Sequence, residues 1–451
     1  MGNVGWKTLR CIWAAHDVLK KGAVSIMKNS LVLFLILLSS RWAHAENWPR
    51  FRGPTGQGLS SETSLPLHWS PTSNVVWKTA IPGIGWSSPI VWDDQVFLTS
   101  TTEDGAACHV VCVDRSSGKM LWNREVFRQV PRHKERKNSH ATPTPATDGE
   151  RVYAVFSSGG IAALNLDGSV VWTYRDVKFY SRHGLGASPI VYKNLLIMPF
   201  DGSNRVAEPG KWPNNSDEEK LGWRIPWDKA FILALHVKTG KRVWTARRGM
   251  SRVAHVTPNI LEVNGKTQLI STAGDAIQGF DPETGARIWS VYSEGEGVTS
   301  GFAMGDRLIF SASGYMEHVL RAVRTGGKGE VTRSHIVWEA RKGVPSQSSL
   351  LYVKPHVYGV TDGGVATCYR AADGKVVRQK RIGGRHCASP VLADGRIYFL
   401  SESGETVVMK AGPQLEIVAR NTIEEKCQAS IAVSQGHLFI RSEKHLYCIG
   451  N

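Results

Sequence analysis

The stretch CVDRSSGKMLW, residues 112–122, decides how this sequence of 451 residues folds. It has the pattern of a strand end, a polar turn with Gly-Lys, and a second strand that reaches a tryptophan. Near-copies follow as ALHVKTGKRVW at 234–244 and GFDPETGARIW at 279–289. A unit that recurs along a chain is typical of an architecture in which each copy is one supersecondary element. We therefore interpret the stretch first as part of a repeat.

A second recurring feature precedes each copy. It is a short apolar strand that begins after two small residues, often followed by proline. Eight such starts occur: WSSPIV at 86, HATPTP at 140, GASPIV at 186, HVTPNI at 255, GVTSGF at 297, SQSSLL at 346, CASPVL at 387 and QASIAV at 428. They lie about 40 to 70 residues apart, with four short alternating strands in each unit. This pattern predicts the blades of a β-propeller.

The two ends of the chain complement each other. The last unit has only three strands, whereas NVVWKTAI at Asn74–Ile81 is a strand without a unit. Pairing them would leave no free edge strand in the ring. We predict an all-β, eight-bladed propeller with a composite closing blade, and seven blades is the alternative count. The predicted organisation is a leader at 1–45, a lead-in segment at 46–74 and the propeller at 75–451.

The first 45 residues have the pattern of a secretory signal. Lys28 precedes the apolar run LVLFLILL at 31–38, and Ala43-His44-Ala45 has the small-x-small form of a cleavage site. We expect cleavage near Ala45, with Met27 as an alternative start. No cysteine follows at a lipidation position, and no later stretch is long and apolar enough for a membrane helix. The sequence therefore predicts a secreted or periplasmic protein without a transmembrane segment.

The chain is basic, with a formal net charge of +16. The leader carries six basic residues and one acidic residue, so about +11 remains on the mature chain. This excess favours acidic partners, namely anionic glycans, lipid head groups or acidic proteins. The basic residues are dispersed, and the one short cluster, Arg132–Lys137, is interpreted as a solvated loop. We expect no nucleic-acid partner.

The repeated pattern A-x-D-x-x-T-G-K-x-x-W resembles the tryptophan-docking motif of the quinoprotein (PQQ-like) β-propeller repeat family. The resemblance covers residues 75–450, although unit six has Arg378 at the tryptophan position and unit seven also lacks the tryptophan. It implies that a small residue about ten positions before the tryptophan lets neighbouring blades approach each other. The tryptophan then fills the gap between the two blades. The residues given this structural role are Trp77, Trp122, Trp172, Trp244, Trp289 and Trp338.

The lead-in segment has its own resemblance. NWPRFRGPTGQGLS at 47–60 is similar to the N-terminal segment of secreted bacterial propellers of this family. We expect a structural clasp, and a functional arm is the alternative.

Histidine and arginine recur where the innermost strands begin. The loops leading into these strands form one mouth of a propeller channel, and guanidinium groups bind carboxylate or phosphate well. We predict an anionic-ligand site there, with structural or solvated side chains and a metal site as alternatives. Its candidate residues are Trp86, His140, Arg182, His183, Arg252, His255, Arg385 and His386.

Two long insertions are predicted to lie at the same mouth. Phe127–His140 is one, and Asp201–Ala230 is the other, with aromatic residues at Trp212, Trp223 and Trp227. Long loops in compact folds are often functional. We predict a binding loop, and a packed lid is the alternative.

The positions of the cysteines and acidic residues give little support for catalysis or cofactor binding. Six cysteines follow the leader; Cys112, Cys368 and Cys448 occupy the small-residue position of the repeat, and a disulfide between Cys387 and Cys427 is left open. No G-x-S-x-G, H-E-x-x-H or P-loop motif occurs. Dehydrogenases of the resembled family hold a quinone and calcium with carboxylate and amide ligands, and only Glu294 and Glu296 lie near a strand start. We expect no cofactor; PQQ with calcium is the alternative.

The sequence thus favours a binding or scaffold propeller. We expect a monomer whose partner is a protein, an anionic ligand or a glycan. The resembled family includes the periplasmic scaffold of the outer-membrane-protein assembly machinery, which is a lipoprotein. The alternatives are a PQQ-dependent oxidoreductase of alcohols or sugars and a carbohydrate-binding propeller.

Overall fold

The computed structural model describes residues 46–131, 134–177, 181, 183–201, 230–248, 254–273, 276–292, 302–305, 307–313 and 318–450. Contacts gather Glu46–Asn451 into one compact unit. The described residues form eight antiparallel sheets, seven with four strands and one with an added fifth strand. The predicted eight-bladed, all-β propeller is confirmed, and each sheet is one blade.

The first strand in the chain, β1 (Val75–Ala80), belongs to the last blade. Blade 1 contains β2 (Ile90–Trp92), β3 (Gln95–Thr101), β4 (Ala107–Asp114) and β5 (Met120–Arg128). Blade 2 contains β6 (Ala146–Thr147), β7 (Arg151–Val155), β8 (Ile161–Asn165) and β9 (Val170–Tyr174). Blade 3 contains β10 (Ile190–Tyr192), β11 (Leu195–Phe200), β12 (Phe231–His236) and β13 (Arg242–Arg247). Blade 4 contains β14 (Asn259–Val263), β15 (Lys266–Thr272), β16 (Ala276–Phe280) and β17 (Arg287–Tyr292).

Blade 5 contains β18 (Ala303–Met304), β19 (Leu308–Ser313), β20 (Val319–Arg324) and β22 (Ile336–Ala340). Its last connection also holds β21 (Gly329–Glu330) and the short helix α1 (Thr332–His335). Blade 6 contains β23 (Leu351–Val353), β24 (His356–Val360), β25 (Val365–Arg370) and β26 (Val376–Arg381). Blade 7 contains β27 (Val391–Ala393), β28 (Arg396–Leu400), β29 (Glu405–Lys410) and β30 (Ile417–Thr422). Blade 8 contains β31 (Ala432–Ser434), β32 (His437–Arg441) and β33 (His445–Ile449), and β1 completes it.

The two ends of the chain pair in blade 8, as predicted. Val75 lies opposite Ile449, and Trp77 lies opposite Cys448, in an antiparallel register. The second and third strands of the blades are almost wholly buried, since neighbouring blades cover both of their faces. The fourth strands are half exposed. Among the described residues, no helix is long and apolar enough to cross a membrane.

The recurrent tryptophans lie between blades. Trp172 of blade 2 pairs across the strands with the small Ala163, and its ring covers Gly240 in the last turn of blade 3. Its indole N–H donates to the Val237 carbonyl of blade 3 at 2.8 Å. Gly240 has φ +65, and an added Cβ would lie 2.6 Å from the Trp172 ring. The same ring-on-glycine contact joins the following pairs: Trp77 with Gly118, Trp122 with Gly168, Trp244 with Gly285, and Trp338 with Gly374.

Trp289 of blade 4 is placed differently. It turns back over its own blade, where its indole N–H donates to Gln268 Oε1 at 2.8 Å. Its cross-strand partner is Gly279, whose added Cβ would lie 2.2 Å from the Trp289 indole nitrogen. The side-chain-free glycine therefore makes room for the inward ring. Strand β21 pairs in parallel with β17 at this position, so the tryptophan lies beneath an added strand.

A ring of hydroxyl groups joins the innermost strands. The main-chain N–H of Ser88 in blade 1 donates to Thr144 Oγ1 in blade 2 at 2.9 Å. The same bond recurs at equivalent positions in six of the eight junctions between blades, counted over the described residues. The further links are Thr144 to Ser188, Ser188 to Thr257, Ser349 to Ser389, Ser389 to Ser430, and Ser430 to Ser88. The small-residue strand starts of the sequence therefore supply hydrogen bonds between blades, because a short hydroxyl side chain reaches the neighbouring main chain.

Candidate functional site

Two of the candidate histidines at the channel mouth are buried. The His140 ring nitrogen Nδ1 lies 2.7 Å from Ser157 Oγ, and its ring packs on Gly105. Burial, with a smaller effect of the Lys134 charge, lowers the pKa of His140 to about 4. The two ring nitrogens of His386 face the main-chain carbonyls of Leu400 and Gly383 at 3.0 and 2.9 Å. In this structure both rings are held by their own blades and face away from solvent.

The other two histidines contact each other. His183 before blade 3 and His255 before blade 4 make an edge-to-face contact with ring centroids 6.1 Å apart. Burial, together with the charge of His183, lowers the pKa of His255 to about 3. His183 also lies 3.9 Å from the carboxylate of Glu135, in the loop between blades 1 and 2. The structure thus brings the beginnings of blades 3 and 4 together through two histidine rings in contact.

The remaining described candidates are Trp86 and Arg385. Trp86 is buried, and the Lys426 ammonium lies 5.1 Å from the centre of its ring. The Arg385 side chain is largely exposed, and its Nε lies 3.7 Å from Glu402 Oε2. Lys426 therefore already contacts an aromatic ring, and Arg385 already lies beside a carboxylate.

Glu402 is a residue of this mouth that sequence reasoning missed. Its Oε1 accepts a hydrogen bond from the Cys387 thiol at 2.7 Å and lies 3.6 Å from Lys137 Nζ. Burial raises the pKa of the Cys387 thiol, and the neighbouring Glu402 raises it further. No repeat position marks Glu402, because it lies in a variable turn of blade 7. Cys387 and Cys427 are both free thiols.

The loop between blades 1 and 2 lies across the mouth. Its Asn138 donates to the His183 carbonyl of blade 3 at 2.7 Å, while Lys137 reaches Glu402 of blade 7. Because these contacts are on separated blades, the described part of the loop, 134–140, bridges the ring. This arrangement corresponds to the packed-lid alternative for that insertion.

Several candidates lie outside the described residues. They are Arg182, Arg252, Trp212, Trp223 and Trp227, together with the acids Glu294 and Glu296. The anionic-ligand site at the mouth and the tryptophan-rich binding loop therefore stay predictions.

The lead-in segment occupies the other end of the channel. It forms hydrogen bonds with or just before the innermost strands of seven blades. The contact residues on the blades are Val91, Thr147, Asn259, Met304, Leu350, Leu392 and Ser434. These contacts follow the ring from blade 8 through blades 1 and 2 to blades 4 to 7, so the lead-in lines the channel at the end opposite to the mouth.

Arg52 is the central side chain of that segment. It is buried and donates to the main-chain carbonyls of Phe302, Gln57 and Leu350, which come from blade 5, the lead-in and blade 6. Among the described residues no carboxylate pairs with it, and burial lowers its pKa to about 9. Arg441 of blade 8 is bound in the same way, through Ser87 and the Thr99 carbonyl. Both buried arginines therefore join separate segments of the main chain through hydrogen bonds to carbonyl groups.

The quinone and calcium alternative would require a cluster of oxygen ligands in the channel. Calcium requires several oxygen ligands, of which carboxylates are the usual charged members. No group of three His, Cys, Asp or Glu side chains among the described residues is placed to hold a metal ion. The buried polar residues among the described ones are mainly serine and threonine. PQQ with calcium stays an untested prediction.

The outer rim of the propeller exposes apolar side chains at one repeated position. In blade 3 it is Val243, which is 49% exposed and directly precedes Trp244. The equivalent residues of other blades are also exposed: Val76, Leu121, Val171, Val337 and Val377. In blade 4 the equivalent Ile288 is half-buried, and β21 pairs with its strand. The described outer strands thus present a regular apolar pattern beside open strand edges.

Comparison with known proteins identifies a matching family and several structures that are similar to this propeller. The family profile described as "Outer membrane protein assembly factor BamB" matches residues 68–209 and 317–412. The crystal structure of BamB from Moraxella catarrhalis is similar, with a TM-score of 0.57, 14% identity, and coverage of 84% of this chain and 97% of that one. The computationally designed Ika8 protein gives a TM-score of 0.56, 10% identity, and coverage of 82% and 98%. No curated protein sequence matches the chain. At these identities the structural likeness shows the fold alone.

Proposed function

We propose that this chain is a protein-binding scaffold of the cell envelope. The premise is that it belongs to the PQQ-like propeller family whose profile is described as outer membrane protein assembly factor BamB. The family profile matches more than half of the chain, which supports the envelope location. The name of the family profile refers to assembly of outer membrane proteins, and the proposal carries that general role to this chain. The signal-like sequence pattern predicted at 1–45 also favours export to the envelope.

The observation that carries the proposal is the outer rim. Open strand edges are templates for pairing with another chain, and soluble proteins usually block them. Here the outermost strands expose an aliphatic residue at the same position in six blades. Strand addition uses an open edge with exposed side chains beside it, since main-chain bonds supply affinity and side chains supply specificity.

Blade 4 shows this pairing within the chain. Strand β21 lies parallel to β17, with Trp289 opposite Gly329 and Ser290 opposite Glu330. The Val331 N–H donates to the Ser290 carbonyl at 2.9 Å, and Thr332 Oγ1 accepts from the Tyr292 N–H at 3.0 Å. The outer edge of a blade in this propeller therefore accepts an added strand, and in blade 4 the tryptophan beneath that strand is turned inward.

Site-specific photocrosslinking tests the proposal in cells that export the full chain. A photoreactive residue at Leu121, Val243 or Val377 samples the rim, and one at the exposed Lys444 serves as the control. We expect discrete protein adducts from rim positions and none from Lys444. Absence of adducts at all three rim positions would contradict the proposal. So would quinone-dependent dye reduction with alcohols or sugars after addition of PQQ and calcium, which would favour the oxidoreductase alternative.

A further inference from the structure

The outer strand of blade 6 carries a cation at the position of the docking tryptophan. Strand β26 has Arg378 where five blades place a tryptophan that docks on the next blade. Arg378 lies opposite the small Cys368, so it keeps the register of the tryptophan position. Its guanidinium Nη1 donates to Gln414 Oε1 of blade 7 at 3.3 Å, on the exposed surface. A packing residue has therefore been replaced by a surface cation in the same place.

The same strand concentrates positive charge. Residues 375–381 read KVVRQKR, with no acidic residue. Lys375 lies 3.9 Å from Asp373, which already pairs with Arg370. Among the described residues no carboxylate pairs with Arg378, Lys380 or Arg381. Arg378 and Arg381 donate to neutral oxygens, Gln414 Oε1 and the Gly363 carbonyl, so their charges remain available to a partner of opposite charge.

The cations flank an open edge on both faces of the sheet. Arg378 and Lys380 are two residues apart and share one face, whereas Arg381 lies on the other. Val377, which directly precedes Arg378 and is 45% exposed, adds an apolar side chain to the edge. No described strand pairs with the outer side of β26. A strand added here would place its side chains about 5 Å from these groups.

These features specify the partner. We propose that β26 is the docking edge for an extended segment of another protein in which acidic residues alternate with aliphatic ones. This inference rests on the proposed scaffold function and deepens it. Acidic residues would face Arg378 and Lys380, while main-chain bonds would continue the sheet as β21 does in blade 4. A second copy of this chain is a poor occupant of the edge, because like charges on facing strands repel.

Blade 3 supplies a matched control. Its outer strand β13 is also basic, through Arg242 and Arg247, but it keeps its tryptophan at Trp244. Substitution of Arg378→Glu with Lys380→Glu, or of Arg242→Glu with Arg247→Glu, changes the net charge equally. Only the first pair alters β26. Thermal unfolding of both variants checks that each retains the fold.

The test is fluorescence anisotropy with a labelled peptide of about ten residues that alternates glutamate with valine. We expect saturable binding to the full chain, about tenfold weaker binding to the β26 variant, and no change for the β13 variant. A peptide with alternate main-chain nitrogens methylated should fail to bind, since it cannot extend the sheet.

Each other outcome overturns a stated part of the inference. Equal weakening by the two variants would mean a general charge effect and would remove the assignment to β26. Full binding of the methylated peptide would exclude strand pairing. No binding of the acidic peptide, with rim adducts still formed in the crosslinking experiment, would reject the acidic partner and leave the scaffold function standing.

Discussion

The contact between Trp172 and Gly240 allows the energy of blade docking to be measured against a close control. Gly240 has φ +65, and a Cβ added there would lie 2.6 and 2.7 Å from two atoms of the Trp172 ring. Gly395 has φ +68, but a Cβ there would meet nothing within 4 Å. Substitution with alanine imposes the same left-handed backbone at both positions, which costs about 1 to 2 kcal/mol. Overpacking against the ring adds about 1 to 3 kcal/mol at Gly240 alone.

We therefore expect Gly240→Ala to lower the free energy of unfolding by about 2 to 5 kcal/mol and Gly395→Ala by about 1 to 2 kcal/mol. Urea unfolding followed by tryptophan fluorescence and circular dichroism measures both, provided that the two probes give one transition. In a Trp172→Leu background the cost of Gly240→Ala should fall towards that of Gly395→Ala, because the flat ring is gone. Equal costs for the two glycines in the wild-type background would refute the docking explanation.

Three further results are expected. Arg52→Met should destabilise the protein by about 3 kcal/mol in thermal unfolding, because buried carbonyls lose their donor; an unchanged melting temperature would show that the lead-in is held by other contacts. Ser88→Ala should cost about 1 to 3 kcal/mol, because it leaves the buried Ser430 N–H without an acceptor, and a neutral effect would show that the hydroxyl ring does not stabilise the blades. Burial raises the pKa of Glu425, but hydrogen bonds, the largest from Lys78, outweigh it and lower the pKa to about 2. Its stabilising contribution should be complete above pH 4.5 and lost as the pH falls towards 2, so the stability gap between wild type and Glu425→Gln should close over that interval; a gap independent of pH would contradict this assignment.

The repeat made most of the fold predictable. The starts of the innermost strands and the positions of the tryptophans indicate the strand order directly. The strand that contains Trp77 has no unit of its own and therefore needs a partner, which is the strand that contains Cys448. The added strand β21 was not predictable in this way. Its two residues, Gly329 and Glu330, have no strand-like periodicity and are held by the edge of β17. Trp289 was expected to dock on the next blade, but its inward position depends on that added strand.

The candidate site was less predictable, because the sequence gives positions along the chain but little about burial. His140 and His386 were identified correctly as residues before innermost strands, yet whether they face solvent depends on loops from other blades. Glu402 contacts Lys137, which lies far away in sequence, so no local pattern could mark it. Arg52 was expected in a clasp, but its three carbonyl acceptors come from the folded ring. In contrast, Arg378 stood out as an exception to the repeat.

The composite closing blade has a consequence for biosynthesis. Its partners Val75 and Ile449 are about 370 positions apart, whereas the other blades are built from neighbouring hairpins. Seven blades can form as the chain emerges, since their contacts are local and fast to make. The ring itself closes only when the last strand has been synthesised and meets the first. Until then β1 remains an unpaired edge, so a chain exported from its N-terminus would need protection against aggregation for the whole time of its translocation.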